Sequence, residues 1–362
     1  MTVLFPLREL TIEITKQCPM RCIICSSDGG EKESNELSFI ELKQIVDDAI
    51  TLGVKTIILS GGEPLECNST LNLIGYIKKK GLTAHLYSSG NLTKDGKTIS
   101  LSNAVLKNLK TLDIDKIIFS IHGPNQKIHD AITSRKGSFS NLVTSISRAK
   151  IIGHKIELHF VPVLPNYRYL PEVVSLATAL KIPRISILRF VPQGRGLTNQ
   201  KILEITNEDV IKLKHIIDTI CKNSSIDVRL GAPFNCFHIK CQTHCTAGID
   251  KATIRPDGIV VPCVSMKGIG FSQSLDSIHN VPLKEIWENS TFFEYIRETH
   301  KRIEKLPCNT CDYSRECKGG CLTQRLIKTD SIDGVDSFCI MKKNLILKDS
   351  GKSEKKEIRG VL

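Results

Sequence analysis

Cys18, Cys22 and Cys25 stand at C-x3-C-x2-C spacing. Three thiolates so close can hold three irons of a 4Fe-4S cube and leave the fourth iron without a protein ligand, and an open metal position is where a small molecule can bind. The plainer reading of the same residues is a zinc knuckle completed by a distant Cys or His. A second motif follows at Ser60-Gly61-Gly62-Glu63-Pro64. Its two glycines let backbone approach a ligand closely, and the glutamate can accept hydrogen bonds from an ammonium group. Alone, this motif is a turn before a helix. A further set of cysteines occupies the last third of the chain: Cys245, then Cys263 in Gly258-x4-Cys263, then Cys308-x2-Cys311-x5-Cys317-x3-Cys321, then Cys339. Zinc would typically take such residues in separate fours.

Composition agrees with metal chemistry. The chain has 362 residues, 14 of them Cys, and clustered cysteines in a reducing compartment indicate metal more often than disulfides. No run approaches the ~18 apolar residues that cross a bilayer, and the opening MTVLFPLRELTIEI is too soon charged for a signal peptide. A cytoplasmic protein with no membrane partner is expected. Lys+Arg 50 against Asp+Glu 38 gives a net charge of +12, but the basic residues are scattered rather than gathered on one element, so no nucleic-acid partner is expected. The exception is 342–359, expected as a solvated basic tail.

The elements that must position these residues are legible as alternation. Strand candidates at 10–15, 56–60, 83–87, 116–121, 157–163 and 184–190 alternate with helix candidates at 38–52, 70–80, 100–109, 139–152 and 170–180. Ser38 and Glu41 stand at capping-box spacing, and Gly53 marks that helix's end. Six such units imply parallel β/α crossovers, too few to close an eight-stranded barrel, so an open, partial (β/α)6 barrel is predicted. Beyond 192–196 the texture changes. One helix at 208–222 is followed by a cysteine-dense, loop-rich stretch with a hairpin turn at 255–258 and a helix at 283–297. That stretch has little core of its own and would need metal to hold it. The predicted organisation is a barrel over 1–200, a linking helix and strand over 201–235, a cluster-binding domain over 236–345 and a basic tail over 346–362.

C-x3-C-x2-C after the first strand, taken with GGEP after the second, resembles the radical S-adenosylmethionine (SAM) superfamily. The later cysteines resemble the SPASM extension of one branch of it, which binds two auxiliary iron-sulfur clusters. The resemblance implies that Cys18, Cys22 and Cys25 hold the cube whose open iron chelates SAM, and that Gly61, Gly62 and Glu63 receive its methionine ammonium. An electron from the reduced cube then cleaves the sulfonium to methionine and a 5'-deoxyadenosyl radical, which abstracts a substrate hydrogen. Ser89 and Asn91, within Ser88-Ser89-Gly90-Asn91, and Ser120 sit where family members place further SAM contacts. Arg135 resembles the arginine for the cofactor carboxylate, with Arg189 a weaker candidate. The ordinary alternatives are capping serines and a surface arginine.

The same resemblance assigns Cys245, Cys263 and Cys321 to the first auxiliary cluster and Cys308, Cys311, Cys317 and Cys339 to the second. Cys241 is favoured over Cys236 as the first cluster's fourth ligand. Cys221 continues the stripe Val210, Leu213, Ile217 and is expected to be a buried small hydrophobe. Cys67 is a candidate hydrogen-atom donor to a product radical.

Relatives with SPASM domains mostly act on peptides or proteins, so crosslinking, oxidation or epimerisation of such a substrate is the implied function. A reductant such as flavodoxin or ferredoxin is the implied electron source. Sulfatase maturation is disfavoured, because Val264 stands where those members place an Asp. The first strand starts within about ten residues of Met1, so no leader-binding winged-helix domain is expected ahead of it. A peptide would then need a separate leader-recognition protein or direct contact with the barrel. The alternatives are dehydrogenation or epimerisation of a small molecule such as an aminoglycoside and, from a different class, a non-catalytic electron relay.

Overall fold

Period-two alternation of β-branched residues builds the sheet that positions everything else. A computed structural model describes residues 5–237, 244–268, 276–301, 307–329 and 331–341. In β1 (Glu9–Thr15), Leu10, Ile12 and Ile14 join the main core, while Thr11, Glu13 and Thr15 fall on the other face. The same pattern recurs in β2 (Thr56–Gly61), β3 (Thr83–Ser88), β6 (Lys116–Ser120), β7 (Ile156–Phe160) and β8 (Arg184–Ile187). All six predicted strands are therefore present, within a few residues of their predicted ends. A short hairpin, β4 (Asn91–Lys94) and β5 (Lys97–Ser100), lies outside the main sheet.

The main sheet has nine strands in the order β11-β10-β1-β2-β3-β6-β7-β8-β9, where β9 is Asp227–Leu230, β10 is Lys251–Ile254 and β11 is Val260–Val261. Neighbours are parallel except for the antiparallel pair β10 and β11. Chain order followed by spatial order is the winding of a barrel, and β9 and β11 remain its two edges: an open barrel, as predicted. The turn at 255–258 closes the β10–β11 hairpin, with Gly258 at φ +78°. This hairpin comes from the cysteine-dense stretch, yet β10 pairs with β1 and so extends the barrel's own sheet.

Helices cover the apolar face of the sheet. Ser38 caps Phe39–Thr51 in a complete capping box with Glu41, and Thr70–Lys79, Ser138–Ile152 and Leu170–Ala179 match their predicted positions. Three expectations are corrected. The helix predicted from residue 100 starts at Asn103, because the β4–β5 hairpin occupies the preceding residues. Its turn is Asp95-Gly96, both at positive φ, a strong hairpin signal. The helix predicted over 283–297 is two, Leu283–Asn289 and Thr291–Lys301, broken at the extended Ser290. Cys221 is exposed, not buried. The buried face of Asn207–Asn223 runs through Val210, Leu213, Ile217 and Ile220, and Cys221 lies past its edge in the last turn.

One core runs from Leu7 to Phe293 and takes in Ala252, Ile254, Leu283, Trp287 and Phe293 of the cysteine-rich region, which otherwise adds small clusters such as Ala247, Val261, Met266, Phe292, Ile296, Leu322 and Ile332. No helix among the described residues is long and apolar enough to cross a membrane. Cys241 and the predicted tail lie outside the described residues.

Candidate active site

The loop after β1 is folded by its own backbone and clamped from a distance. Gly30 N–H donates to Lys16 O at 2.6 Å and Cys18 N–H to Gly30 O at 2.9 Å, closing the loop. Arg195 fills its back: Nε donates to Cys22 O at 3.1 Å, one Nη to Gly29 O at 2.7 Å, and the other pairs with Asp28 at 2.7 Å. Gly194 must be glycine here, since its φ is +51° and a Cβ would stand 2.8 Å from Cys25 O. Arg21 donates to Cys18 O at 2.9 Å, and Arg135 Nε to Pro19 O at 3.0 Å. The tract 192–196, read from sequence as a boundary, is thus the clasp of the cysteine loop. Gly-Arg-Gly, a long cation between two permissive residues, was the available signal.

Cys18, Cys22 and Cys25 are all partly buried and close enough that each thiolate would repel the others. Burial first, then the Glu63 carboxylate, pushes the Cys18 thiol up to about 12, and burial pushes Cys22 up as well. Buried thiols of this kind need a cation to ionise against, which bound metal supplies. Among the described residues no three Cys, His, Asp or Glu side chains form a group that could hold a metal ion. A cube does not need such a group, because it spreads its ligands over separate corners.

Glu63 faces this loop from the end of β2 and is fully buried. Ser89 donates to its Oε2 from both N–H and Oγ at 2.7 Å, and Ser88 Oγ adds a bond at 3.0 Å. Burial raises its carboxyl to about 7, against the pull of those hydrogen bonds. No Lys or Arg among the described residues pairs with it. A ligand ammonium would fit this acceptor. Gly61 and Gly62 press on protein backbone: their Cβ atoms would stand 2.5 Å from Thr15 O and 2.3 Å from Gln17 O. The glycines thereby let Gly62 and Glu63 N–H bond Thr15 O and Gln17 O at 2.7 and 2.8 Å, seating Glu63 beside the cysteine loop.

The remaining candidates spread around this centre. Asn91 is fully buried, with Nδ2 bonded to Ser89 O at 2.8 Å and Oδ1 lacking any partner, an acceptor left for a ligand. Ser120 ends β6 opposite His159. Cys67 follows the Pro64–Glu66 turn and shares a hydrogen bond of 3.1 Å with Ser69. Arg189 is corrected as a cofactor candidate: it is buried and pairs with Asp336 at 2.7 Å. Sequence reasoning also missed the polar inner face of β7 and its neighbours. Glu157 accepts from Lys116 at 2.8 Å, His159 at 3.1 Å and Ser186 at 2.5 Å, and the Tyr87 and His159 rings stand 5.0 Å apart. Burial opposes ionisation of Glu157, but these partners hold its carboxyl well below the carboxylate range. Glu157 and His159 alternate with Ile156, Leu158 and Phe160, so period two could have found them.

The later cysteines fall into two neighbourhoods. Cys245 is within electrostatic reach of both Cys263 and Cys321, and Cys339 of Cys308, Cys311 and Cys317. Cys236 sits nearer the second group, by Cys317 and Cys339. Burial pushes Cys317 and Cys321 up to about 12 and Cys339 to about 11. These thiols, like Cys18 and Cys22, fit a bound cationic core better than a free state. A buried pair, Lys267 Nζ and Glu13 at 2.5 Å, ties the segment after Cys263 to β1.

Comparison with known proteins agrees with this geometry. The Radical SAM superfamily model matches residues 12–177, and that of the SPASM iron-sulfur cluster-binding domain matches 245–312. A PqqA peptide cyclase of Gluconobacter oxydans is 26% identical over 94% of this chain and 92% of its own. An AdoMet-dependent heme synthase of Methanosarcina barkeri is 23% identical over 92% and 96%. Streptococcus suis SuiB bound to S-adenosylmethionine superposes with a TM-score of 0.72 at 19% identity, covering 93% of this chain and 77% of that one. The chain therefore carries a Radical SAM domain followed by a SPASM iron-sulfur domain, and is a radical SAM enzyme.

Proposed function

We propose that this enzyme abstracts a hydrogen from a peptide or protein side chain, leading to a crosslink, an oxidation or an epimerised centre. The observation that carries the reading is the likeness, along nearly the whole chain, to proteins named PqqA peptide cyclase. The solved structures of similar fold include SuiB bound to a precursor peptide, SuiA. When bound, the reduced cube supplies the electron that splits SAM into methionine and a 5'-deoxyadenosyl radical. The chain's own work is positional. Cys18, Cys22 and Cys25 would hold the cube, with Arg195 fixing their loop. Glu63, braced by Ser88 and Ser89, would accept the methionine ammonium, and Asn91, Ser120 and Arg135 would make further contacts. Cys67 would be the hydrogen donor where the reaction needs one. The Glu157, His159 and Tyr87 face lines the barrel interior. Edge strand β9 pairs only with β8 among the described residues, so an extended peptide has backbone to pair with at the open side.

This reading puts the enzyme in the cytoplasm with a reductant such as flavodoxin or ferredoxin, its peptide brought by a separate leader-recognition protein or gripped directly by the barrel. Incubation with a co-encoded peptide, SAM and dithionite should lower the peptide mass by two hydrogens for a crosslink, or add deuterium from heavy water for epimerisation. A second reading, a small-molecule substrate, draws on the relative named as a heme synthase. Turnover of a tetrapyrrole or sugar with every co-encoded peptide inert would establish it instead.

A further inference from the structure

Three arginines are buried near the SPASM cysteines, and two have an evident counterpart. Arg189 has Asp336. Arg297 lies over the ring of Trp287 at 4.5 Å and donates to Gly248 O at 2.8 Å, a cation–π cage that offsets desolvation. Arg325 has neither. It is 2% exposed, yet its Nε and Nη1 have no hydrogen-bond partner, and no carboxylate or aromatic ring among the described residues is paired with it. An unpaired buried guanidinium costs several kcal/mol, and a fold rarely retains one without use.

Its position supplies the use. Arg325 lies one turn beyond Cys321, with its N–H bonded to Cys321 O at 3.1 Å. Its charge is within electrostatic reach of Cys308, Cys245 and Cys321, and of Asp336, whose carboxylate is already taken by Arg189. It also lines a small cavity, about 20 Å³, together with Cys245, Lys318 and His300. A cube carrying four thiolates is anionic, and hydrogen bonds and positive charge at its sulfurs raise its reduction potential.

We propose that Arg325 is a tuning residue shared by the two auxiliary clusters, its Nε and Nη1 donating to cluster or thiolate sulfur and its charge raising both reduction potentials. The inference rests on the auxiliary clusters and is independent of the substrate. Its test uses anaerobically reconstituted full-length holoenzyme labelled with [15N]arginine. Pulsed EPR of the reduced auxiliary signals should show a 15N hyperfine coupling. Potentiometric EPR titration of Arg325→Met should show the reduced-to-oxidised ratio of the auxiliary clusters falling about tenfold at fixed ambient potential, ~59 mV for a one-electron couple. The N-terminal cluster should be unmoved. Arg325→Lys should recover most of the potential while losing the nitrogen coupling. Absence of the coupling in wild-type protein overturns the inference even if neither variant folds, as does an unchanged potential in iron-replete Arg325→Met. Wild-type protein holding iron for the N-terminal cube alone overturns the auxiliary-cluster reading and this inference with it.

Discussion

Arg189 and Asp336 meet across 147 positions of chain in a two-pronged ion pair, with both contacts at 2.7 Å and both side chains buried. Asp336 also accepts the N–H of Cys321 at 2.8 Å, and the guanidinium lies over Phe338 at 3.9 Å. One carboxylate thus joins the end of β8 to the loop that presents Cys321. Asp336→Asn leaves Arg189 short of a charge and should cost about 3–5 kcal/mol. Urea unfolding and soluble yield check this, and the paired change Arg189→Met with Asp336→Leu should recover part of the loss.

Removal of the N-terminal thiols separates two functions. The Cys18→Ala, Cys22→Ala, Cys25→Ala protein should stay folded, because the barrel has its own core, and should lose roughly a third of twelve irons. Reductive SAM cleavage should vanish. Iron analysis and chromatography of 5'-deoxyadenosine report both, and any dithionite-dependent 5'-deoxyadenosine from this variant refutes the site.

Glu63 offers a milder test. Glu63→Gln keeps the shape and most hydrogen bonds but not the charge that would meet an ammonium, so SAM affinity should fall roughly 10- to 100-fold. The EPR signal of the reduced cube without SAM should not change. Equal affinity for both proteins would remove Glu63 from the binding set.

His122 and His129 set an acid limit. Their buried rings stand 5.4 Å apart, and His129 Nδ1 accepts the His122 N–H at 3.1 Å. Burial lowers His122 to about 3 and His129 to about 4. Below pH 6.5 the unfolded chain takes up protons that the folded chain refuses. Their stabilisation is therefore complete above that pH and is lost on acidification, at about 1.4 kcal/mol per unit and ring. Urea unfolding at pH 7, 6 and 5 should show a shallower decline for His129→Asn, by about one proton.

Much of this was readable locally. The β-branched runs and the capping pair Ser38 and Glu41 are written within a few residues of where they act, and so are both N-terminal motifs. The partners of Arg189 and Lys267 were not, because 147 and 254 positions separate each side chain from its carboxylate and no period or spacing encodes a pairing at that range. Arg195 was hidden differently: its partners are mostly backbone carbonyls, which any sequence supplies. Asp95-Gly96 is a local hairpin signal that makes residues 97–100 a strand, so the helix begins three residues later than its apolar spacing suggests.

The pairing of β10 with β1 has a price during synthesis. Ile12 waits for Ile254, about 240 residues later. At ordinary elongation rates that is roughly 12–50 s in which one side of the first strand is an uncapped edge on a ribosome-bound chain. Such an edge recruits neighbouring polypeptides, and closing it late is slow because its partner is so distant in the chain. Added chaperone during synthesis should therefore raise the yield of intact protein even where the finished fold is unchanged.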